Sequence, residues 1–284
     1  MQITGHPSSS RDKIWALLDL CKSASQSILA CYNDEASSGL LLSKEDRTPL
    51  TQADLASHQI LSGGLHRLKP ELPLLSEECS PEEIADRHDW DSFWMVDPLD
   101  GTREFLERTG EFTINIALIE AQRPVLGLIY EPLSQSGSLG IVGEGAWRLR
   151  LEAGSWNSRP LATRALPARE MVILASRRHR NPRLDQCLEL LSATHDLSRK
   201  NSGSALKFCD LAAGRGDCYP RFSPCSEWDV AAGDALVTAA GGMVLGLDGS
   251  PLLYNARDTL LSPHFVAVGD RSSSLWHELL ECMV

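Results

Sequence analysis

Apolar positions recur at helical spacing over residues 8–33, where Ile14, Leu17, Cys21, Ala24, Ile28 and Cys31 fall on one side. Three serines can cap this helix, and Asp12 suits its first turn. Residues 34–50 are polar and irregular. Thr51-Gln52-Ala53-Asp54 opens a second helix with Leu55, Leu61, Leu65 and Leu68 on one side, and Pro70 and Pro73 break it. Leu74-Leu75 leads into Ser76-Glu77-Glu78, and residues 80–91 read as an acidic, exposed connector. Phe93-Trp94-Met95-Val96 has the look of a buried strand. It is expected to stop at Asp97-Pro98, because proline has no N–H to give a ladder. Residues 112–119, 124–130, 138–142 and 147–149 continue as strands, and their short connections indicate antiparallel pairing.

Residues 153–168 are rich in Gly, Ser, Pro and Arg without periodicity, and the domain boundary is placed there. Beyond it strands and helices alternate. Strands are expected at 171–175, 243–245 and 265–268, and helices at 181–193, 204–213 and 273–282. Cys218-Tyr219-Pro220-Arg221-Phe222 reads as a short edge strand that tolerates its proline. Ser226-Glu227-Trp228-Asp229 starts an Ala-rich helix stopped by Gly241-Gly242. The expected architecture is an α+β unit over 1–155, two long helices on an antiparallel sheet, followed by a smaller α/β unit over 156–284.

Composition narrows the possible roles. The 284 residues carry a formal net charge of −11, so a nucleic-acid surface, which needs a basic face, is not expected. An anionic small substrate stays compatible if bound cations reverse the local field. The eight cysteines, at 21, 31, 79, 187, 209, 218, 225 and 282, form no Cys-x-x-Cys pair and no zinc-finger spacing. The first residues lack the regions of a signal peptide, and no run of ~18 apolar residues could span a membrane. A cytoplasmic protein with reduced cysteines is the expectation, with peripheral attachment at the inner membrane left open. Oligomeric state is open.

No Gly-x-Ser-x-Gly elbow, Walker loop, His-Glu-x-x-His or post-strand Gly-x-Gly-x-x-Gly is present. What stands out is the turn Asp97-Pro98-Leu99-Asp100-Gly101-Thr102. It brings two carboxylates and the Leu99 carbonyl together, and like charges this close are costly unless a cation sits among them. Thr102 opens a short helix through Leu106, whose free N–H groups suit a phosphate. The competing reading is an ordinary acidic turn. Asp54 likewise has two readings, as the acidic member of a capping box with Thr51 or as a functional carboxylate. Asp229 alone would pass as an acidic residue in a helix's first turn. Taken together, Asp54, Glu77, Asp97, Asp100 and Asp229 are hard oxygen donors, which match Mg²⁺ or Mn²⁺.

These residues together resemble the inositol monophosphatase superfamily of Mg²⁺-dependent, lithium-sensitive phosphatases. Its first signature stands here as Trp94-Met-Val-Asp-Pro-Leu-Asp-Gly-Thr102 and its second as Trp228-Asp-Val-Ala-Ala-Gly233. Ser76-Glu77-Glu78 and Pro49 to Asp54 match two further elements, in the expected order. Within the superfamily the chain is most similar to the bacterial 3′(2′),5′-bisphosphate nucleotidase branch. Arg103-Glu104-Phe105, the stretch Gly110 to Ile119, and Gly203-Ser204-Ala205-Leu206-Lys207-Phe208-Cys209 followed by Tyr219-Pro220-Arg221-Phe222 carry that similarity. Thr48, Leu50 and Ala205 depart from the commoner residues, and none changes a ligand type.

The resemblance implies a layered αβαβα sandwich. It implies that Glu77, Asp97, Asp100, Asp229 and the Leu99 carbonyl bind two or three Mg²⁺ ions, with Mn²⁺ as a substitute. Glu78 is not carried over as a primary ligand. Asp54 and Thr102 would position and deprotonate the attacking water. Gly101, Thr102, Ser204, Lys207, Arg221 and Asp229, with His179 from an Ala-Ser-x-x-His loop, would lie around the substrate. The implied reaction removes the 3′-phosphate of adenosine 3′,5′-bisphosphate to give AMP, with the sulfated relative as a further substrate, linked to sulfate assimilation and nucleotide recycling. The alternatives are an inositol or sugar monophosphatase, or a non-catalytic metal- or nucleotide-binding regulator. Without the resemblance, Lys207 would be read as an exposed helix lysine.

Overall fold

Two long helices come first, as the periodicity predicts. α1 spans Ser8–Asn33 and α2 spans Gln52–Leu68 in a computed structural model that describes residues 8–34, 42–43, 49–167, 169–176 and 181–281. Between the helices, β1 (Leu42–Ser43) and β2 (Pro49–Leu50) pair antiparallel. Thr51 caps α2 by accepting from Ala53 N–H, and the Asp54 carboxylate returns to Thr51 N–H, which completes the capping box. Leu61 and Leu65 are buried, but Leu55 faces solvent. Six residues from Leu61 is about 240° of helix, which turns Leu55 off the buried side.

A seven-stranded sheet follows in sequential order: β3 (Leu74–Ser76), β4 (Ser92–Asp100), β5 (Thr113–Glu120), β6 (Arg123–Glu131), β7 (Ser136–Ile141), β8 (Gly145–Glu152) and β9 (Ser155–Leu161). β3 and β4 run parallel; every other neighbouring pair is antiparallel. The period-two alternation serves two cores. Trp94, Val96, Ile114, Ile116 and Leu118 pack toward α1 and α2, while Phe93, Met95, Ala117 and Ile119 point to the opposite face.

Three expectations about this half change. β4 does not end at Asp97-Pro98 but runs on to Asp100 through an irregular register. Residues 155–161, read as irregular, are the sheet's exposed edge strand. The 80–91 connector is not wholly exposed: Arg87 is buried and bonds the Asn255 side chain and the carbonyls of Arg257 and Asp258. A buried guanidinium needs acceptors for its several donors, and the distant loop supplies them.

The second half holds β10 (Glu170–Ala175), α4 (Pro182–Ser192), β11 (Asp196–Asn201), α5 (Leu206–Ala212), β12 (Cys218–Arg221), α6 (Ala231–Ala239), β13 (Met243–Gly246), β14 (Phe265–Val268) and α7 (Leu275–Glu281). The sheet order is β11-β10-β12-β14-β13. β11, a polar strand not expected from the sequence, lies parallel to β10 at the edge. β12 is the central strand rather than an edge. Its proline is tolerated because β10 pairs with it only at Cys218, while Pro220 faces β14.

The layers alternate as the resemblance implies. α1 and α2 cover one face of the large sheet, and α5 and α6 lie between the two sheets. α4 and α7 cover the far face of the small sheet, through Leu184, Leu191, Trp276 and Leu279. α6 rests directly on β5, β6 and β7. Gly127 and Gly140 permit this approach, since a Cβ at Gly127 would lie 2.1 Å from the Ala232 carbonyl oxygen and one at Gly140 2.5 Å from Leu236 Cα. Among the described residues no helix is long and apolar enough to cross a membrane.

Candidate active site

The irregularity in β4 builds the centre of the site. Asp97 pairs with Asn115 and Asp100 with Thr113, three steps along β4 against two along β5. This is a β-bulge, and it spans Pro98 and Leu99. Side chains three apart on a regular strand point to opposite faces, and the extra residue removes that offset. Carboxylate oxygens of Asp97, Asp100 and Asp229 consequently lie within 4.8 Å of one another. Leu99 N–H donates to Asp97 Oδ1 at 3.0 Å, and Ser57 Oγ of α2 donates to the Pro98 carbonyl at 2.8 Å. Gly101 then turns the chain with φ +89° into the short helix α3 (Thr102–Leu106), and a Cβ there would sit 2.9 Å from the Glu111 carbonyl.

Glu77 follows β3 directly. Its N–H donates to the Val96 carbonyl at 3.2 Å, which sets the residue beside Asp97. Asp229 comes from the second half. It closes a capping box with Ser226, whose N–H donates to Asp229 Oδ2 at 2.9 Å, in the 3-10 turn just before α6.

The cluster is electrostatically uncomfortable by itself. Burial, then the charges of Glu77, Asp100 and Asp229, holds the Asp97 carboxyl well above the usual range. Asp229 is pushed up to about 7, by burial and then by Asp100 and Glu77. A divalent cation among them would offset the repulsion. The donors are all carboxylate or carbonyl oxygens, and Asp97 is 1% exposed. Oxygen donors of this kind match a hard divalent cation. The turn is buried from Asp97 through Leu99 and half-buried from Asp100 to Thr102.

Asp54 is the acidic member of the capping box through one oxygen and turns the other toward Thr102. Oδ2 accepts from Thr51 N–H at 2.8 Å and Thr51 Oγ1 at 2.5 Å, while Oδ1 lies 3.3 Å from Thr102 Oγ1. Thr102 Oγ1 is also 3.3 Å from the Leu99 carbonyl. Burial pushes Asp54 up to about 6, with Glu77 adding to the rise and Thr51 opposing it.

Beside the acidic cluster opens a cleft of about 130 Å³, lined by Asp100, Gly101, Ser204, Lys207, Arg221 and Asp229 among others. Lys207 is not an exposed helix lysine. It is 3% exposed, its Nζ donates to the Ser202 and Ser204 carbonyls at 3.0 and 2.5 Å, and it stands 5.4 Å from the Tyr219 ring centroid. Burial lowers it to about 8, against the charge of Asp100. Arg221 donates to the Ser223 and Pro224 carbonyls. Ser204 sits at φ +47° and places Oγ 2.7 Å from Asp100 Oδ2. His179 lies outside the described residues.

Several cleft and supporting residues were not among the site residues expected from the sequence. Glu104, Tyr219 and Cys225 also line the cleft. Asn115 Nδ2 donates to Asp100 Oδ2 at 3.1 Å, and Thr113 Oγ1 lies 2.8 Å from Asn115 Oδ1. The available signal was a pair of polar residues two apart in the apolar run Thr113-Ile114-Asn115-Ile116, which places both on one buried face.

A strand-and-bulge acidic centre between two sheets, completed by a helix start from the second sheet's side, defines the class. A model of the inositol monophosphatase family matches residues 14–280, and the chain belongs to that family. Within it the chain is similar to proteins named 3′(2′),5′-bisphosphate nucleotidase CysQ. The one from Escherichia coli O157:H7 is 40% identical over 246 residues, 87% of this chain and 95% of its own. The one from Buchnera aphidicola is 39% identical over 240 residues, 84% of this chain and 86% of its own. The crystal structure of CysQ from Bacteroides thetaiotaomicron, described as a bacterial member of the inositol monophosphatase family, matches with a TM-score of 0.76. It is 35% identical and is covered to 97%, against 90% of this chain.

Proposed function

We propose that this protein is a metal-dependent phosphomonoesterase that removes the 3′-phosphate of adenosine 3′,5′-bisphosphate, giving AMP and phosphate. The observation that carries this is the meeting of three carboxylates within 4.8 Å beside a cleft walled by Lys207 and Arg221. The similarity to the CysQ nucleotidases supports the choice of substrate. Glu77, Asp97, Asp100, Asp229 and the Leu99 carbonyl would hold Mg²⁺ ions, which supply Lewis-acid polarisation of the phosphate and stabilise the leaving oxygen.

The chain's own groups do the rest. Asp54, ionised at neutral pH, takes a proton from a water oriented against Thr102. Lys207 and Arg221 put positive charge around the phosphate that is retained, and Arg221 can do so with two donors. Gly101 and Ser204 belong to the same proposed nucleotide wall. In this reading the unit over 1–155 carries the water chemistry, and the unit over 156–284 contributes Asp229 and selects the nucleotide. Cytoplasmic work with reduced cysteines accompanies it.

A substrate panel tests the proposal. Under saturating Mg²⁺, kcat/KM for adenosine 3′,5′-bisphosphate is expected to exceed that for inositol 1-phosphate by at least tenfold. Faster turnover of the inositol ester would instead support the inositol monophosphatase reading. No turnover of any phosphomonoester with Mg²⁺ or Mn²⁺ would leave a binding protein.

A further inference from the structure

The supports of Asp100 are more specific than the site requires for packing alone. Two donors reach the same carboxylate oxygen, Oδ2: Asn115 Nδ2 at 3.1 Å and Ser204 Oγ at 2.7 Å. Oδ1 is therefore the oxygen that can be given to a cation without breaking either bond. An amide has a donor end and an acceptor end, so Asn115 could turn the wrong way round. Thr113 Oγ1, 2.8 Å from Asn115 Oδ1, occupies the acceptor end and directs Nδ2 at Asp100. Thr113 and Asn115 are both buried, at 0% and 1% exposure. Thr113 Oγ1 and Ser204 Oγ lie 2.6 Å apart, but each has a single proton, and the bonds to Asn115 and Asp100 use both. Both β5 residues stand opposite the two ends of the bulge, Thr113 across from Asp100 and Asn115 across from Asp97. The bonds from Asn115 and Ser204 fix the orientation of the Asp100 carboxylate.

We propose that Asn115, oriented by Thr113, is a positioning residue that aims Asp100 for cation binding. The inference rests on reading the acidic cluster as a cation site. Groups behind a metal ligand commonly account for a 10–100-fold change in affinity. The test is calorimetric titration of the substrate-free protein with Mn²⁺. Asn115→Ala is expected to raise the Mn²⁺ Kd about 10–100-fold. Thr113→Val, which keeps the shape and loses the hydroxyl, should weaken binding in the same direction, and Thr113→Ser should restore it. A merely structural role would not separate Val from Ser at 113 in cation affinity while circular dichroism and cation-free melting stay alike.

Wild-type affinity in Asn115→Ala overturns the proposal. If that variant does not fold, equal Mn²⁺ affinities for Thr113→Val and Thr113→Ser overturn it. Absence of Mn²⁺ binding by the unaltered protein would instead sink the cation-site reading beneath it.

Discussion

Asp54 and Thr102, separated by 48 positions in the chain, meet at 3.3 Å across the gap between α2 and α3. The helix cap and the candidate catalytic carboxylate are the same side chain, used through different oxygens. Replacing Asp54 with Asn should separate the two uses. Asn can still accept from Thr51 N–H, so stability should change by no more than about 1 kcal/mol in a denaturant titration. It cannot take a proton from water, so kcat should fall about 10²–10⁴-fold with little change in KM. Unchanged kcat would leave Asp54 as a cap only.

Cation removal should be visible in stability as well as in rate. Chelation leaves Asp97 buried among Glu77, Asp100 and Asp229, whereas a cation present at a hundred times its Kd stabilises by about 2.7 kcal/mol. Asp97→Asn removes one of the repelling charges. Its melting temperature without divalent ions is expected to rise above that of the unaltered protein, while its response to Mg²⁺ shrinks or vanishes. A variant that melts lower without Mg²⁺ and still responds to it fully would contradict the assignment.

A second buried carboxylate, away from the site, gives a pH-dependent test. Asp234 on α6 accepts from Tyr254 Oη at 2.9 Å and Thr238 Oγ1 at 3.2 Å. Burial pushes it up to about 6 from an ordinary 3.8. Because the folded value is the higher one, its proton favours the fold. The contribution is fully present below the unfolded value and is lost as pH rises through about 6. Asp234→Asn should therefore be more stable than the unaltered protein at pH 8, by on the order of 1–3 kcal/mol, with the gap closing near pH 4. Urea midpoints at the two pH values measure it; a gap that widens on acidification has the wrong sign.

Gly127 has a steric reason to be glycine. Gly127→Ala would force a Cβ to within 2.1 Å of the Ala232 carbonyl unless α6 moves. Overpacking of this kind costs about 1–3 kcal/mol, and more where backbone must shift. Because α6 follows Asp229, the variant should lose Mg²⁺ affinity along with stability. Loss of neither would mean that helix and sheet adjust freely.

The residues that carry charge and turn chemistry were legible in the sequence. Asp97 to Thr102 announces itself by proline, glycine and paired carboxylates, whereas Asp229 stands out only through the family signature of Trp228 to Gly233. Two of the four edge strands of the large and small sheets, β9 and β11, were not legible. β9 and β11 are largely exposed, so their composition reads as loop and only their pairing partners make them strands. The continuation of β4 was misjudged because a bulge excuses proline from the ladder. Lys207 looked like a surface residue because nothing local reveals that Tyr219 and two carbonyls of its own loop enclose it. Asn115 was hidden by its setting, a polar residue in a strand otherwise devoted to the core.

The seating of α6 has a consequence for how the halves relate. Asp229 belongs by sequence to the second half, yet the helix it precedes is set into glycine-floored grooves on the first half's sheet, at Gly127 and Gly140. Phe93, Met95 and Ile119 from one sheet share a single core with Phe208, Leu236 and Phe265 from the other side. The halves are thus not exchangeable modules. Grafting either onto a foreign partner would strip it of a wall and leave its acidic residues without their counterpart. A chain nicked between residues 162 and 167 should still travel as one particle and retain its cation affinity.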